Sequence, residues 1–155
     1  MASQAVLLQA HEELQVLTRG EGFQRIDPEL NQWISATGIQ SGVLHLTCLH
    51  TSASLTINEN ADPRVLADLA AWMRRVAPQI GLNSLGDQEG YHRYRHDDEG
   101  DDDMPAHIRT ALTSQTLSLS VVGGRLQLGT WQAVYLCEWR ARGSSRRIAL
   151  HLLGS

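Results

Sequence analysis

The sequence predicts an α+β fold in which a mainly antiparallel β-sheet or sandwich carries two long helices and one short helix. Runs rich in Val, Leu, Ile and Thr, which favour strands, occupy much of the chain. Gly123-Gly124 separates two such runs and is typical of a tight hairpin turn. Asp27-Pro28 and Asp62-Pro63 each have the composition of a helix start, with Asp as the cap and Pro in the first turn. Because helices and strands do not alternate regularly, a parallel doubly wound sheet is not expected.

The elements of the first half follow in order. Residues 5–18 are predicted to be extended, since apolar and polar residues mix there without helical periodicity. The first helix runs from Asp27 to about Thr37, where Gly38 can adopt the left-handed conformation that ends a helix. Residues 41–50 and 52–58 then form two strands, because both runs are rich in branched apolar residues.

The second half contains the other two helices and two hairpins. The second helix opens at Asp62-Pro63 and stops before Pro78, and a shorter third helix starts near Pro105 and covers residues 108–112. Strands are predicted over residues 116–122, 125–128, 131–140 and 146–153, and the last two form a hairpin around Gly143-Ser144. Apolar residues recur at helical spacing along the second helix, which predicts that they pack in the core: Val65, Leu69, Trp72, Met73 and Val76.

Length and composition indicate one domain over residues 1–155. The chain has 42% hydrophobic residues, a formal net charge of −4 and an isoelectric point near 5.9, so charge gives no support to nucleic-acid binding. Cys48 and Cys137 both lie in apolar runs, which favours buried, reduced thiols and a cytoplasmic protein. Residues 1–16 lack the basic start and apolar core of a signal peptide, and no apolar run approaches the roughly 20 residues of a membrane helix.

Residues 94–107 contain the strongest chemical signal, because two histidines and six carboxylates occur in this short segment. Imidazole and carboxylate groups bind divalent metals and carry protons, although a run of like charges is also typical of a solvated loop. Asp103 and His107 lie four residues apart around Pro105, so one helical turn can direct both toward one site. We therefore expect residues 97–102 to be mostly solvated, while Asp103 caps the helix or orients the His107 ring.

Strand alternation identifies two further polar candidates. His50 follows Leu44, Leu46 and Cys48 on the apolar face of its strand, where a histidine serves either as a hydrogen-bonded structural residue or as a ligand in a pocket.

Glu138 ends an apolar strand face, and a buried carboxylate there must be paired, bound to metal or protonated. A salt bridge to an arginine such as Arg147 across the predicted hairpin is the structural alternative for Glu138. The cluster Arg140, Arg142, Arg146 and Arg147 is predicted to flank an exposed turn.

A loop at the start of the second helix is a candidate binding site for an anion. Glu59 and Asn60 lie beside this helix N-terminus, whose free N–H groups favour phosphate or carboxylate, while Asp62 alone is explained as a cap. Motifs for a serine nucleophile, a Walker loop or a dinucleotide-binding loop do not occur in the sequence. Composition and spacing alone thus predict a pocket with His50, His107 and acidic partners, with room for a metal.

Several long motifs resemble those of the YjbQ family. The resemblance covers essentially the whole chain in the expected order, through four blocks: His50-Thr51-Ser52-Ala53 with residues 55–63, Tyr94-Arg95-His96, residues 102–107, and residues 124–132 with Tyr135-Leu136-Cys137-Glu138. It implies an α+β, mainly antiparallel fold assembled as a homotrimer. It also implies a weak activity as a secondary thiamine-phosphate synthase, which transfers a pyrimidine methyl group from its diphosphate to a thiazole phosphate. The acidic run at residues 97–101 departs from the commoner family pattern.

The polar positions inside these blocks supply the candidate site. We assign catalytic roles to His50, His107 and Glu138, and metal binding to His50, His96, Asp103 and His107, with Mg²⁺ or Zn²⁺ as the ion. Glu59, Asn60, Gln132 and Arg95 are assigned to binding a small phosphorylated metabolite. Nucleic acid and membrane are not expected partners. A trimer that binds a metabolite or metal without catalysis, and a metal-dependent hydrolase, are the alternatives to the transferase.

Overall fold

Two antiparallel sheets form the body of the protein in a computed structural model, which describes residues 7–83 and 90–155. The five-stranded sheet has the order β1-β10-β3-β7-β8, the three-stranded sheet has the order β2-β9-β4, and β5 pairs with β6. The strands are β1 (Leu8–Leu17), β2 (Gly22–Arg25), β3 (Ser41–Cys48), β4 (Ala53–Glu59), β5 (Gly81–Asn83), β6 (Tyr91–Arg93), β7 (Thr116–Val122), β8 (Arg125–Leu126), β9 (Gln132–Glu138) and β10 (Ser145–Gly154). The helices are α1 (Asp27–Thr37), α2 (Pro63–Val76) and α3 (Asp103–Ala111). The predicted fold class is confirmed.

The five-stranded sheet buries one face, as the alternation along β3 predicted. Leu44, Leu46 and Cys48 are buried, whereas Val43 and His45 on the opposite face are exposed. Apolar residues of both sheets and of α1 share one core. Burial of these side chains is the main favourable contribution to folding.

Strand β9 is covered on both faces, which simple alternation did not predict. Val134 and Leu136 pack in the main core, while Cys137 packs with Trp139 and Met73 in a second cluster beneath the helices. Both cysteines are free and buried, and burial raises the pKa of Cys137 to about 12. The Cys137 thiol is therefore protonated at neutral pH and is a poor nucleophile.

The predicted hairpin around Gly143-Ser144 is wrong, because β9 and β10 belong to different sheets. β9 pairs with β2 and β4, whereas β10 pairs with β1 and β3. A Cβ atom on Gly143 would lie 2.1 Å from the Thr18 carbonyl oxygen. This glycine therefore permits the close approach of two backbones where the chain crosses between sheets.

The helices begin and end near their predicted positions, with local differences. Ile26 rather than Asp27 is the α1 N-cap, and buried Asp27 instead binds the Arg25 guanidinium and the Val134 N–H group. Gly38 ends α1 in the left-handed conformation with φ 78°, as predicted. The Asp62 carboxylate accepts a hydrogen bond from the Arg64 N–H group at 3.0 Å and caps α2 as predicted.

The apolar stripe of α2 is only partly in the core. Met73 is buried, but Val65, Trp72 and Val76 are 40%, 53% and 38% exposed. The prediction that the whole stripe packs in the core is therefore wrong for this chain alone. Within residues 7–83 and 90–155, no helix combines the length and the apolar character needed to cross a membrane.

Candidate functional site: a histidine–aspartate cluster

Three side chains meet at the start of α3. Asp103 is the first residue of the helix and His107 follows one turn later, so both face the same side. His96 reaches the same point from the segment after β6. Its Nε2 atom lies 3.1 Å from Asp103 Oδ2, and His107 Nε2 lies 3.3 Å from Asp103 Oδ1. The helix starts two residues before the predicted Pro105, and the predicted proximity of Asp103 and His107 is correct.

Asp103 is the buried centre of the cluster, with only 1% of its surface exposed. Its Oδ1 atom accepts a hydrogen bond from Arg140 Nη1 at 2.6 Å, which supplies the countercharge that a buried carboxylate requires. Its Oδ2 atom is also buried yet accepts no hydrogen bond within the described part of the chain. His96 Nε2 is near Oδ2, but the orientation of its ring does not satisfy hydrogen-bond geometry. Oδ2 therefore lies beside the His96 ring without a hydrogen-bond partner, while Oδ1 lies between Arg140 and His107.

The tautomer of His107 is fixed by a backbone contact. Its Nδ1 atom lies 2.8 Å from the Thr51 carbonyl oxygen, which can only accept a hydrogen bond. Nδ1 therefore carries the proton, and in the neutral ring Nε2 keeps its lone pair toward Asp103. A backbone carbonyl that orients an imidazole in this way is the usual second partner of a metal-binding histidine.

The geometry fits a divalent metal bound by these residues. The three ligand atoms lie within 4.8 Å of one another. In a tetrahedral zinc site with metal–ligand distances of 2.0–2.1 Å, neighbouring ligand atoms are about 3.3 Å apart, comparable to the distance from each imidazole to its nearer carboxylate oxygen. Two nitrogens and one oxygen suit Zn²⁺ better than Mg²⁺, which prefers oxygen ligands. Three protein ligands also leave a fourth position for water or substrate.

His50 lies outside this cluster, contrary to its assignment as a metal ligand beside the other three residues. It follows the end of β3, and its Nε2 atom accepts a hydrogen bond from the Arg147 backbone N–H group at 2.8 Å. Thr51, the next residue, contacts His107, so the two histidines occupy neighbouring parts of one surface. The assignment fails because β10 pairs with β3. The Arg147 backbone N–H group on β10 therefore occupies the Nε2 atom of His50.

Glu138 is buried and forms a salt bridge with an arginine, as the structural alternative predicts, and the arginine is Arg146 in place of the example Arg147. Arg146 Nε contacts Glu138 Oε2 at 2.7 Å, and Thr18 Oγ1 donates to the same oxygen at 2.8 Å. Burial raises the pKa of Glu138, but the hydrogen bonds from Arg146, the Arg140 backbone and Thr18 outweigh it and hold that pKa below its usual value. A carboxylate occupied in this way links the two sheets, and this geometry does not support the catalytic role assigned to it.

Three of the four predicted substrate-binding residues, Glu59, Asn60 and Gln132, lie at the other end of the three-stranded sheet. Glu59 is paired with Gln132, whereas Ala53 at the opposite end of β4 is paired with Glu138. Six residue steps of about 3.3 Å separate these ends by about 20 Å. Asn60 Nδ2 donates to the Gln132 and Thr130 carbonyl oxygens, and Gln132 Oε1 accepts from the Gly129 N–H group, so these side chains hold turns together. Arg95 is exposed and directly precedes His96.

The acidic run is solvated at residues 97–101, as expected. The side chains of Asp97 and Glu99 are 42% and 76% exposed. Asp102 is an exception, because its Oδ2 atom accepts hydrogen bonds from the Ala141 N–H group at 2.7 Å and from Arg140 Nε at 3.2 Å. The prediction that Asp102 is solvated is therefore wrong. Neither Asp102 nor Asp103 caps α3 through a side-chain hydrogen bond, so only the orienting role predicted for Asp103 agrees with the structure.

Two residues of the site were missed by sequence reasoning. Arg140 had been placed beside an exposed turn, but its side chain is only 18% exposed and binds both Asp102 and Asp103. Thr51 contributes a backbone carbonyl, for which residue type gives no signal. For Arg140 the available signal was the excess of acids at residues 97–103, since a dense acidic run must find a nearby cation.

Comparisons with known proteins identify relatives along the whole chain. The model of the UPF0047 protein YjbQ-like family matches residues 12–155. The chain is 41% identical to the UPF0047 protein sll1880 of Synechocystis over 99% of both chains. It is 42% identical to the UPF0047 protein YjbQ of Escherichia coli O157:H7 over 91% of this chain and 95% of the relative.

Solved structures agree with the fold. An uncharacterised YjbQ/UPF0047 protein from Clostridium acetobutylicum is 30% identical with a TM-score of 0.75, covering 91% of this chain and 98% of that chain. A YjbQ-like protein of unknown function from Sulfolobus solfataricus, at 20% identity, has a TM-score of 0.80 over 97% of this chain and all of that chain, which shows the shared fold. The family match and the identities above 40% are decisive, and the chain belongs to the UPF0047 family of YjbQ-like proteins.

Proposed function

We propose that this protein binds a zinc ion through His96, Asp103 and His107 and acts on a small phosphorylated metabolite. The observation that carries the proposal is the buried Asp103 Oδ2 atom, which lies beside the His96 ring and accepts no hydrogen bond among the described residues, while His107 approaches the other oxygen of the same carboxylate. An unsatisfied buried carboxylate oxygen costs about 1–3 kcal/mol or more. A metal ion bound at this oxygen would remove that cost and would place a positive charge beside the substrate.

The reaction to test first is the transfer that the family resemblance implies. The bond between the pyrimidine methylene carbon and the diphosphate oxygen breaks, a bond from that carbon to the thiazole nitrogen forms, and diphosphate leaves with the electron pair. A divalent ion supplies charge neutralisation for such a leaving group. Asp103 and His107 hold the ion, Thr51 orients His107, and Arg95 is an exposed cation next to the ligand His96.

Two alternatives use the same cluster. A metal-dependent hydrolase would direct an ion-bound water to the phosphate ester, and the open fourth position suits this role equally well. A trimer that binds a metabolite or a metal would need the cluster only as a binding site. The transferase stands first because the family resemblance specifies its substrates.

The experiment measures metal content and products together. Protein purified without a histidine tag is reconstituted with zinc, dialysed and analysed for metal, with about one ion per chain expected. The same preparation is then incubated with the pyrimidine diphosphate and the thiazole phosphate. Formation of thiamine phosphate with equimolar diphosphate supports the transferase. Diphosphate release without coupling identifies a hydrolase, and binding without turnover identifies a binding protein. Failure to retain zinc, manganese or cobalt would refute the metal site.

A further inference from the structure

We propose that His50 is a neutral hydrogen-bond donor that holds an anionic oxygen of the bound metabolite through its Nδ1–H group. This inference rests on the proposed function, since it assigns the phosphate-binding part of that site. It also gives His50 a role other than metal ligand or general base. Two features of the structure support this role: the contact between the Nε2 atom of His50 and the Arg147 backbone, and the groove that the ring lines.

The contact with Arg147 fixes the tautomer of His50. A backbone N–H group can only donate, so the Nε2 atom that it meets at 2.8 Å must offer a lone pair. The proton of the neutral ring is therefore on Nδ1. A ring in this state has a donor to offer and no free basic nitrogen, which excludes proton abstraction by His50 while the contact persists.

The environment of His50 keeps the ring neutral. Burial, followed by the charges of Arg146 and Arg147, lowers the pKa of His50, while Glu138 and Glu13 act in the opposite direction with smaller effect. A neutral imidazole that donates a hydrogen bond from a fixed position can stabilise an oxyanion.

A groove beside His50 has the size and polarity for a phosphate group. It has a volume of about 430 Å³ and is lined by Leu49, His50, Thr51, Ser52, Gln115 and Cys48. Within the described part of the chain, the backbone N–H groups of Thr51 and Ser52, two residues that line the groove, have no backbone acceptor. Thr51 also joins the groove to the metal cluster, because its carbonyl oxygen orients His107. The groove and the cluster therefore adjoin one another at Thr51.

The first test reads the tautomer directly and does not depend on turnover. Nitrogen-15 NMR of the histidine rings, with His50 assigned by its loss in a His50→Gln variant, should show a protonated Nδ1 and an unprotonated Nε2 at neutral pH. A proton on Nε2, or a fully charged ring, would overturn the proposal. Because this measurement needs neither zinc nor substrate, it stands even if the proposed metal function fails.

The second test uses two replacements that preserve different nitrogens. His50→Asn places an amide near the Nδ1 position, whereas His50→Gln places one near Nε2 and loses the donor. Inorganic diphosphate is titrated by calorimetry into the zinc-loaded proteins, with exposed His11→Gln as the control. Loss of a hydrogen bond to a charged group should weaken binding by about 10- to 100-fold in His50→Gln and by less in His50→Asn. Equal affinity in His50→Gln and the control, or no diphosphate binding by the parent protein, would overturn the role as an anion donor.

Discussion

At the scale of single residues, Asp103 determines what the cluster can bind. Its Oδ1 atom is held by Arg140 and lies near His107, and its Oδ2 atom lies near His96 without a hydrogen bond, although the residue is 1% exposed. A purely structural ion pair would be expected to satisfy both oxygens, because an unpaired buried polar atom is costly. The arrangement is therefore better explained by a ligand that the carboxylate shares with His96 and His107.

Replacement of Asp103 by Ala should lower zinc affinity by at least about 10- to 100-fold, the range found for residues that support metal sites. The reason is that the carboxylate contributes a ligand atom and also neutralises the ion. Asp98→Ala and Asp101→Ala are matched controls from the same acidic run, and both residues are exposed. Competition with a chelating indicator measures all three variants. Equal losses in the three variants would show that the whole acidic run binds the metal.

Spacing in the sequence was sufficient to predict the pairing of Asp103 with His107, because one helical turn fixes their geometry. It was not sufficient for Arg140 or Thr51, which reach the site from distant parts of the chain. His50 was placed at the end of an apolar strand face, but the backbone of β10 beside it could not be anticipated from alternation. Contacts that depend on strand pairing therefore remained outside what sequence could predict.

At the scale of elements, Glu138 joins the two sheets where β9 ends. It receives hydrogen bonds from Arg146 on β10 and from Thr18 just after β1. Both sheets thus share one buried carboxylate, and its loss would leave the Arg146 guanidinium without its partner. Removing one member of a buried pair costs more than the pair itself contributes to stability.

Glu138→Gln should lower the free energy of unfolding by about 3–5 kcal/mol at neutral pH. Because the folded pKa of Glu138 is held below its unfolded value, its contribution is fully present above about pH 4.5. The contribution is lost as pH falls through the lower folded pKa. The variant should therefore show a shallower loss of stability in acid. Denaturant unfolding between about pH 7 and pH 3 tests this, with Glu99→Gln as control, since the Glu99 side chain is 76% exposed. Parallel pH profiles for Glu138→Gln and the parent would contradict the prediction.

Sequence periodicity predicted most of the long elements but not all of their pairings. The prediction of a hairpin around Gly143-Ser144 was wrong because two strands joined by a glycine-containing loop can belong to one sheet or to two different sheets. Strands β2, β5 and β6 were missed because they have only four, three and three residues, too few to show alternation. The starts of α1 and α2 were close because a proline in the first turn acts locally, and the end of α1 was close because Gly38 does.

At the scale of the whole molecule, the single chain leaves apolar side chains uncovered on α2. Val65, Trp72 and Val76 are separated by helical spacing and are all well exposed, although their periodicity is that of a packed face. Trp131 is also 64% exposed. Exposed apolar residues along one helix mark an interaction surface, and the homotrimer implied by the family resemblance would provide identical partners for it.

We expect the protein in solution to have about three times the 17.2 kDa mass of one chain. Light scattering coupled to size-exclusion chromatography at micromolar concentration measures this mass. Association would bury the apolar side chains that the isolated chain exposes, with a gain of about 25 cal/mol for each Å² removed from water. A monomer mass under these conditions would rule out the trimer.

Trp72→Glu should convert a trimer to smaller species, because it places a charge on the exposed apolar face of α2. The matched control is Ala67→Glu, which adds the same charge to the same helix. Ala67 is exposed and lies five residues earlier, so its side chain is rotated by roughly 140° from Trp72. Far-ultraviolet circular dichroism should match for both variants, since each replaced residue is exposed in the single chain. A lower molecular mass in solution for Trp72→Glu, but not for Ala67→Glu, would assign the interface to this face of α2. An unchanged trimer in Trp72→Glu would place the interface elsewhere and would leave the exposed tryptophan for another partner.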